Sequence, residues 1–341
     1  MKRFKSLSIL IAIILVMSSI LTACGNDDSK DVEGDDDYKL ELKLSHVFSP
    51  DEQLAKSMDL VADRIREKTN GAIDIQTYPQ AQLATYKDGL EQVVRGAEFI
   101  SVEDPSYLAD YVPDFQALVG PFLYEEIDEY TGLLKTDLVQ DMIDSAEEEG
   151  IKILGLDYVF GFRNLVTNEI VETPEDLKGL KLRVPESQLF IDTINAMGAT
   201  ATSLPFSETI SGVQQGVVDG LEGSEFSNLG TKMYEVAKNV AITKHFLGTC
   251  GVYISTEVWE EIPEEYQTII EEEFIYGGKE MIEIIEDSHD ETVEELEAEG
   301  VKFNEVDMNA FREATESVYD NMDGVSENIY DKLQEELEEL R

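Results

Sequence analysis

Arg183 lies inside the strand-like run Lys181 to Val184 (KLRV), its alkyl stem between Leu182 and Val184, in a chain with 26 Lys+Arg against 73 Asp+Glu. A guanidinium placed there must either neutralise a carboxylate of its own chain or await an anion from outside. Its planar fork presents two parallel donors matching a carboxylate, which lysine cannot do, and one such charge-assisted bond contributes roughly 1.5–3 kcal/mol. Glu103, in SVEDP directly after a strand, poses the converse problem. A carboxylate at a strand's C-terminal end is commonly solvated, but one shut away from water demands a donor or a cation. Phe206 follows Pro205 at the start of a helix, where an aromatic ring ordinarily packs into a core. His46 ends the first strand and is expected to pack or cap there rather than titrate.

Other chemistries lack their residues. The chain has no G-x-S-x-G elbow, no phosphate-cradling glycine loop, no H-E-x-x-H pair and no compact cluster of histidine, cysteine and carboxylate. Its three histidines are scattered and its two cysteines cannot build a disulfide framework, so neither a metal nor a cofactor is expected. With 73 acidic residues, carboxylate pairs carry no glycosidase signal. The formal charge of −47 repels phosphate backbones, which argues against a nucleic-acid partner. Acidity of that degree fits a surface kept hydrated in high salt or at alkaline pH, and says nothing of a ligand.

The amino terminus carries the layout of an export signal. Lys2, Arg3 and Lys5 precede an apolar run from Leu7 to Met17, and Leu21, Thr22, Ala23, Cys24 resemble a bacterial lipobox. Residues 1–23 are expected to be removed, and Cys24 to take a lipid that holds the chain on the outer face of the cytoplasmic membrane. The alternative is an uncleaved helix with an incidental cysteine, for which the run is short. Residues 24–39, acidic and unpatterned, read as a solvated tether. Cys250 is then left without a partner and is expected in the core.

The elements that must position Arg183 and Glu103 follow from periodicity. Leu40 to His46 alternates with period two, and Leu54, Met58, Val61, Ala62 and Ile65 fall at helical spacing. Strands at 72–78, 97–102 and 152–158 alternate with helices at 86–94 and 126–149. A second set begins with a strand near Arg163 (RNLVT). Thr173, Pro174 and Asp176 then form a capping box, and strands at 181–184, 199–203 and 220–222 alternate with helices at 188–197 and 206–215. An apolar strand at 246–255 is long enough to return to the first sheet, and the chain beyond Pro263 is helical and acidic. At 341 residues with 42% hydrophobic content, the chain supports an α/β fold of two units, each a helix-covered, mostly parallel sheet, with chain crossing between them.

Several segments in this order and spacing carry a resemblance: LVTN, TPEDLKGLKLRVPES, LPFSE, QQGVVDG and YISTEVWEEIP, with TNGAIDIQTYPQAQL and VPDFQALVGPFLY upstream. They closely resemble the solute-binding proteins of tripartite ATP-independent periplasmic (TRAP) transporters, the dicarboxylate-binding-protein family, from about Leu40 to at least Glu305. The resemblance implies a two-lobed periplasmic-binding-protein-like fold, with lobe I at 40–160 plus 249–288. Lobe II would take 161–248 plus 289–341 and the C-terminal helices. It implies a monomer that closes on a carboxylate-bearing solute and delivers it to the small and large membrane subunits of an ion-driven permease. In it Arg183 matches the arginine that clamps the ligand carboxylate, Arg163 a second contacting arginine, and Phe206 an aromatic against the ligand's apolar part. Glu103 matches a polar pocket position, and Thr85, Val47 and Phe48 align with other cleft-lining positions.

One position departs from the family pattern. Where the family commonly reads DGQEN, this chain reads Asp219, Gly220, Leu221, Glu222, Gly223, so Gly223 replaces an asparagine that often donates to the same carboxylate. With Glu103 this favours a monocarboxylate, whose amino or hydroxyl group meets Glu103, over a dianion. A ligand-sensing partner of a receptor would share the fold, and an enzyme is the least favoured class.

Overall fold

The computed structural model describes residues 38–341. The expected signal peptide, the lipobox with Cys24 and nearly all of the tether lie outside the described residues. Strand β1 (Leu40–Ser45) buries Leu42 and Leu44 and exposes Glu41 and Lys43, the alternation of a half-covered strand. Helix α1 (Gln53–Lys68) turns Leu54, Met58, Val61, Ala62 and Ile65 to the sheet. Strands β2 (Ile73–Tyr78) and β3 (Phe99–Glu103) pair with β1 in parallel on either side, with α2 (Tyr86–Val94) in the crossover. Short helices α3 (Phe115–Leu118), α4 (Ile127–Leu133) and α5 (Asp137–Glu148) follow; the single helix expected over 126–149 is two, interrupted at 134–136.

Strand β4 (Ile151–Thr167) is one 17-residue strand where the sequence suggested two. The apolar residues between them continue to pair, Val159 with Thr249 and Phe162 with Leu247 of β8, and register shifts plus Gly161 at φ 95° bend the strand without ending it. A single helical turn at Pro174–Leu177 is held by its capping box, the Asp176 carboxylate accepting from the Thr173 N–H at 2.8 Å. Strand β5 (Lys181–Val184) leads into α6 (Gln188–Met197), β6 (Thr200–Ser203), a turn at Phe206–Glu208 with α7 (Thr209–Gln214), and β7 (Gly220–Gly223). Both β6 and β7 pair with β5 in parallel. Helix α8 (Glu225–Thr231) precedes β8 (Asn239–Ser255), which begins seven residues before the expected strand, and α9 (Thr256–Glu261) follows. The chain ends with α10 (Glu264–Ala298), β9 (Lys302–Asn304), α11 (Met308–Asp320) and α12 (Ile329–Leu340).

All strands join one sheet in the order β2-β1-β3-β8-β4-β7-β5-β6, with β9 on β8. Each flank is a parallel trio, as the alternating pattern implied, while the long β4 and β8 are antiparallel to each other and carry the sheet from one flank to the other. Separate cores lie on the two flanks. One gathers Phe115, Tyr130, Leu133, Val139 and Ile151; the other gathers Leu177, Leu182, Phe190, Ile194, Phe246 and Phe311. Helix α12, expected with lobe II, packs on the first core instead, because Ile329, Leu333 and Leu337 at spacings of four present one apolar stripe to it. The expected boundary at 288 falls within α10, a continuous helix of 35 residues. Among the described residues no helix is long and apolar enough to cross a membrane.

Candidate functional site

Parallel strands of both flanks run toward one place. The carboxyl ends of β1, β3, β5 and β7 deliver Val47 and Phe48, Glu103, Arg183, and Glu222 with Gly223 to a common cleft, where an open α/β sheet places its ligands. The middles of β4 and β8 add Phe160, Arg163 and Cys250. The cleft holds about 690 Å³ of empty space including its mouth. Phe48 stands edge-on to Phe160 at 5.4 Å and lies 6.2 Å from Phe206, giving the cleft an aromatic wall.

Arg183 is 2% exposed. Its Nε donates to the Leu204 carbonyl at 2.9 Å, which aims the remaining donors, and its guanidinium carbon lies 5.3 Å from the centre of the Phe206 ring. It makes no ion pair among the described residues, and burial pulls its pKa below the usual arginine value. A structural salt bridge, the ordinary use of such a residue, is therefore not its role here.

Arg163 takes that ordinary use. Its Nη2 donates to Glu222 Oε1 at 2.6 Å and its Nε to Oε2, a bidentate pair in which Glu222 is fully buried and Arg163 nearly so. Burial works against its charge, but Glu222 outweighs that and raises its pKa. His245 stands next to the pair, Nε2 3.9 Å from Glu222, with Nδ1 bonded to the Thr243 hydroxyl at 2.8 Å. Burial first, and then Arg163, drop its pKa to about 3, so the imidazole is neutral. Arg163 thus lines the cleft with its charge already met.

Glu103 is 2% exposed, and burial pushes its pKa up to about 8, although its Oε1 accepts from the Tyr86 N–H at 2.6 Å. At neutral pH the carboxyl in this cleft is mostly protonated. Tyr86, which sequence reasoning passed over as the first residue of a helix, sits at φ 55° and ties the flanks together: its backbone holds Glu103 and its hydroxyl accepts from the Phe206 N–H at 3.1 Å. Asp104, also unforeseen, accepts from the Ser106 N–H at 2.8 Å; burial raises its pKa and Arg163 draws it back.

Of the residues singled out from sequence, Val47, Phe48, Glu103, Arg163, Arg183, Phe206 and Gly223 line the cleft. Thr85 stands outside the lining, at the N-cap of α2, and its neighbour Tyr86 reaches in. Tyr107, Phe190, Ser227, Asn228 and Thr231 were not foreseen, since nothing in a short helix or turn marks which face meets a distant strand.

Comparison with known proteins identifies the family. Residues 44–324 match the family model described as bacterial extracellular solute-binding protein, family 7. A TRAP periplasmic solute-binding protein from Desulfovibrio salexigens, in complex with diglycerolphosphate, is 61% identical with a TM-score of 0.88, covering 89% of this chain and 98% of its own. One from Fusobacterium nucleatum with bound sn-glycerol-3-phosphate is 44% identical at the same TM-score and coverage. One from Actinobacillus succinogenes with bound L-galactonate is 33% identical with a TM-score of 0.84, covering 88% of this chain and 99% of its own. With the match spanning both flanks and every strand end that builds the cleft, the chain belongs to family 7 of the bacterial extracellular solute-binding proteins, the periplasmic solute-binding proteins of TRAP transporters.

Proposed function

We propose that the cleft captures a small hydroxylated anion carrying one charged group, and that the closed protein hands it to the small and large membrane subunits of a TRAP permease. The lipid on Cys24 would keep the protein at the outer face of the membrane during that exchange. Proteins of this family bind solutes for transporters, so the enzyme reading is set aside. One observation carries the proposal: Arg183 is buried, held by the Leu204 carbonyl and without an ion-pair partner among the described residues, while the second guanidinium is occupied by Glu222. A second anionic group at the far end of the solute would face Glu222 and Asp104, which disfavours a dicarboxylate.

The head group expected from sequence was a carboxylate. Solutes held by the relatives above widen this to a carboxylate or a phosphate ester on a polyol body. Glu103, holding its proton, suits a solute hydroxyl better than an ammonium group. Lobe I (40–160 with 249–288, joined by α12) closes on lobe II (161–248 with the chain from 289 through α11), because only the closed state lets one solute meet Arg183 and Glu103 together.

A thermal-shift screen in high salt over sugar acids, glycerol phosphates, amino acids and dicarboxylates tests this; a ligand at 100 times its Kd adds about 2.7 kcal/mol of stability. Hydroxylated solutes with a single carboxylate or phosphate head group should stabilise the protein and dicarboxylates should not. Calorimetry on Arg183→Ala should then show a loss of about 2–5 kcal/mol in binding. Unchanged affinity in that variant would falsify the clamp.

A further inference from the structure

Two buried polar side chains of the cleft have no use in holding an anion on Arg183. Asn228 on α8 is 3% exposed, lines the cleft, and neither its Nδ2 nor its Oδ1 has a hydrogen-bond partner among the described residues. Tyr107, in the turn Pro105–Asp110 of the other lobe, is 2% exposed and its hydroxyl is equally unpartnered. Folded proteins seldom bury an amide with both ends unpaired, so a pair of such groups facing one cleft calls for a partner.

The neighbours of Asn228 rule out a generally wet helix face. Ser224, Ser227, Asn228 and Thr231 share the spacing that turns one side of α8 to the cleft. Ser224 Oγ accepts from the Ser227 N–H at 3.3 Å, and the Thr231 hydroxyl donates to the Ser227 carbonyl at 2.6 Å, so both are satisfied within the helix. The Asn228 carboxamide is not. A carboxamide offers two donors and an acceptor, and a phenol one donor and an acceptor. Neither carries charge, and the combination matches groups that both donate and accept, which means hydroxyls.

We infer that Asn228 and Tyr107 read the hydroxylated body of the solute from opposite walls, and that this pair, rather than the arginine clamp, sets selectivity for polyol anions over their deoxy counterparts. The inference rests on the reading of the cleft as an anion site. Contacts from both walls also favour the closed state, since a solute without hydroxyls leaves both groups buried and unpaired.

Calorimetry on the full chain with two probe pairs tests it: sn-glycerol 3-phosphate against propyl phosphate, and galactonate against hexanoate. Wild type should prefer the hydroxylated member of at least one pair by about tenfold or more, as expected of a site built to bond a hydroxyl. In Asn228→Leu and Tyr107→Phe that preference should shrink, the hydroxylated member losing affinity and the deoxy member holding or gaining it. The ligand-free melting temperature of both variants should stay level or rise, because each removes a buried unpaired group. Equal weakening of both members of a pair, or a lowered ligand-free melting temperature with the preference intact, would assign these residues a structural role and overturn the inference. If Arg183→Ala abolishes binding while Asn228→Leu leaves the preference intact, the anion site stands and the inference alone fails. If wild type binds none of the four probes, the anion-site reading falls and takes the inference with it.

Discussion

Two arginines in similar strand contexts have opposite fates, and the difference is a single carboxylate. Glu222 forks onto Arg163, while Arg183 has no ion-pair partner among the described residues. Removing one partner of a buried pair strands the other, so Glu222→Gln should destabilise the protein by about 3–5 kcal/mol in denaturant unfolding. A loss below 1 kcal/mol would mean the pair is looser than its geometry indicates. Glu103 makes a pH-dependent prediction. The folded chain keeps its proton up to about 8, whereas the unfolded chain releases it near the ordinary value of 4.5, so the folded state binds more protons between these values and stability falls as pH rises through that window. Glu103→Gln abolishes this contribution. Melting temperatures of the variant should gain on wild type steadily from pH 4.5 to 8, and a constant offset would contradict the assignment. The sequence alone marked Arg183 and Glu103 as residues needing partners. It left open whether each partner was internal, because Glu222 lies 59 positions from Arg163 and meets it only through the register of β4 and β7.

At the level of elements, the cleft exists because parallel strands from two flanks end together, and β7 must lie flush against β4 to bring Glu222 under Arg163. Gly220 permits this approach: a Cβ there would stand 2.3 Å from the Val166 carbonyl oxygen, a backbone atom that cannot step aside. Gly220→Ala should therefore cost about 1–3 kcal/mol and weaken solute binding together with stability, checked by unfolding and calorimetry on the same preparation. Retained stability would show that β7 shifts freely. Strand and helix order was largely legible, since alternation and helical spacing are local properties. The joining of 152–158 and 163–167 into β4 was not. Gly161 reads as a break in any local pattern, and only pairing with β8 carries the strand through it.

Across the whole molecule the two lobes touch in several places. The Ser187 hydroxyl meets Ser106 at 3.0 Å, the Phe206 N–H meets Tyr86, and Gly230 of α8 lies against Glu52. A Cβ at Gly230 would come within 2.6 Å of Glu52 Cγ, so Gly230→Val should hold the cleft open. Affinity should drop by about tenfold or more, the cost of populating the closed state, while small-angle scattering shows that the liganded protein no longer contracts. Contraction equal to wild type would place the closing surface elsewhere. The α/β class, the resemblance to TRAP solute-binding proteins and the presence of a strand arginine in an overwhelmingly acidic chain are legible in the residues, because composition, periodicity and motif order are properties of the chain. Packing fixes the rest: one sheet spans both lobes, α12 returns to the first core, Arg163 is neutralised, and the Asn228 carboxamide is buried without a partner among the described residues. Each of these depends on which distant surfaces meet, and that is settled by packing and register across the whole fold rather than by any local pattern.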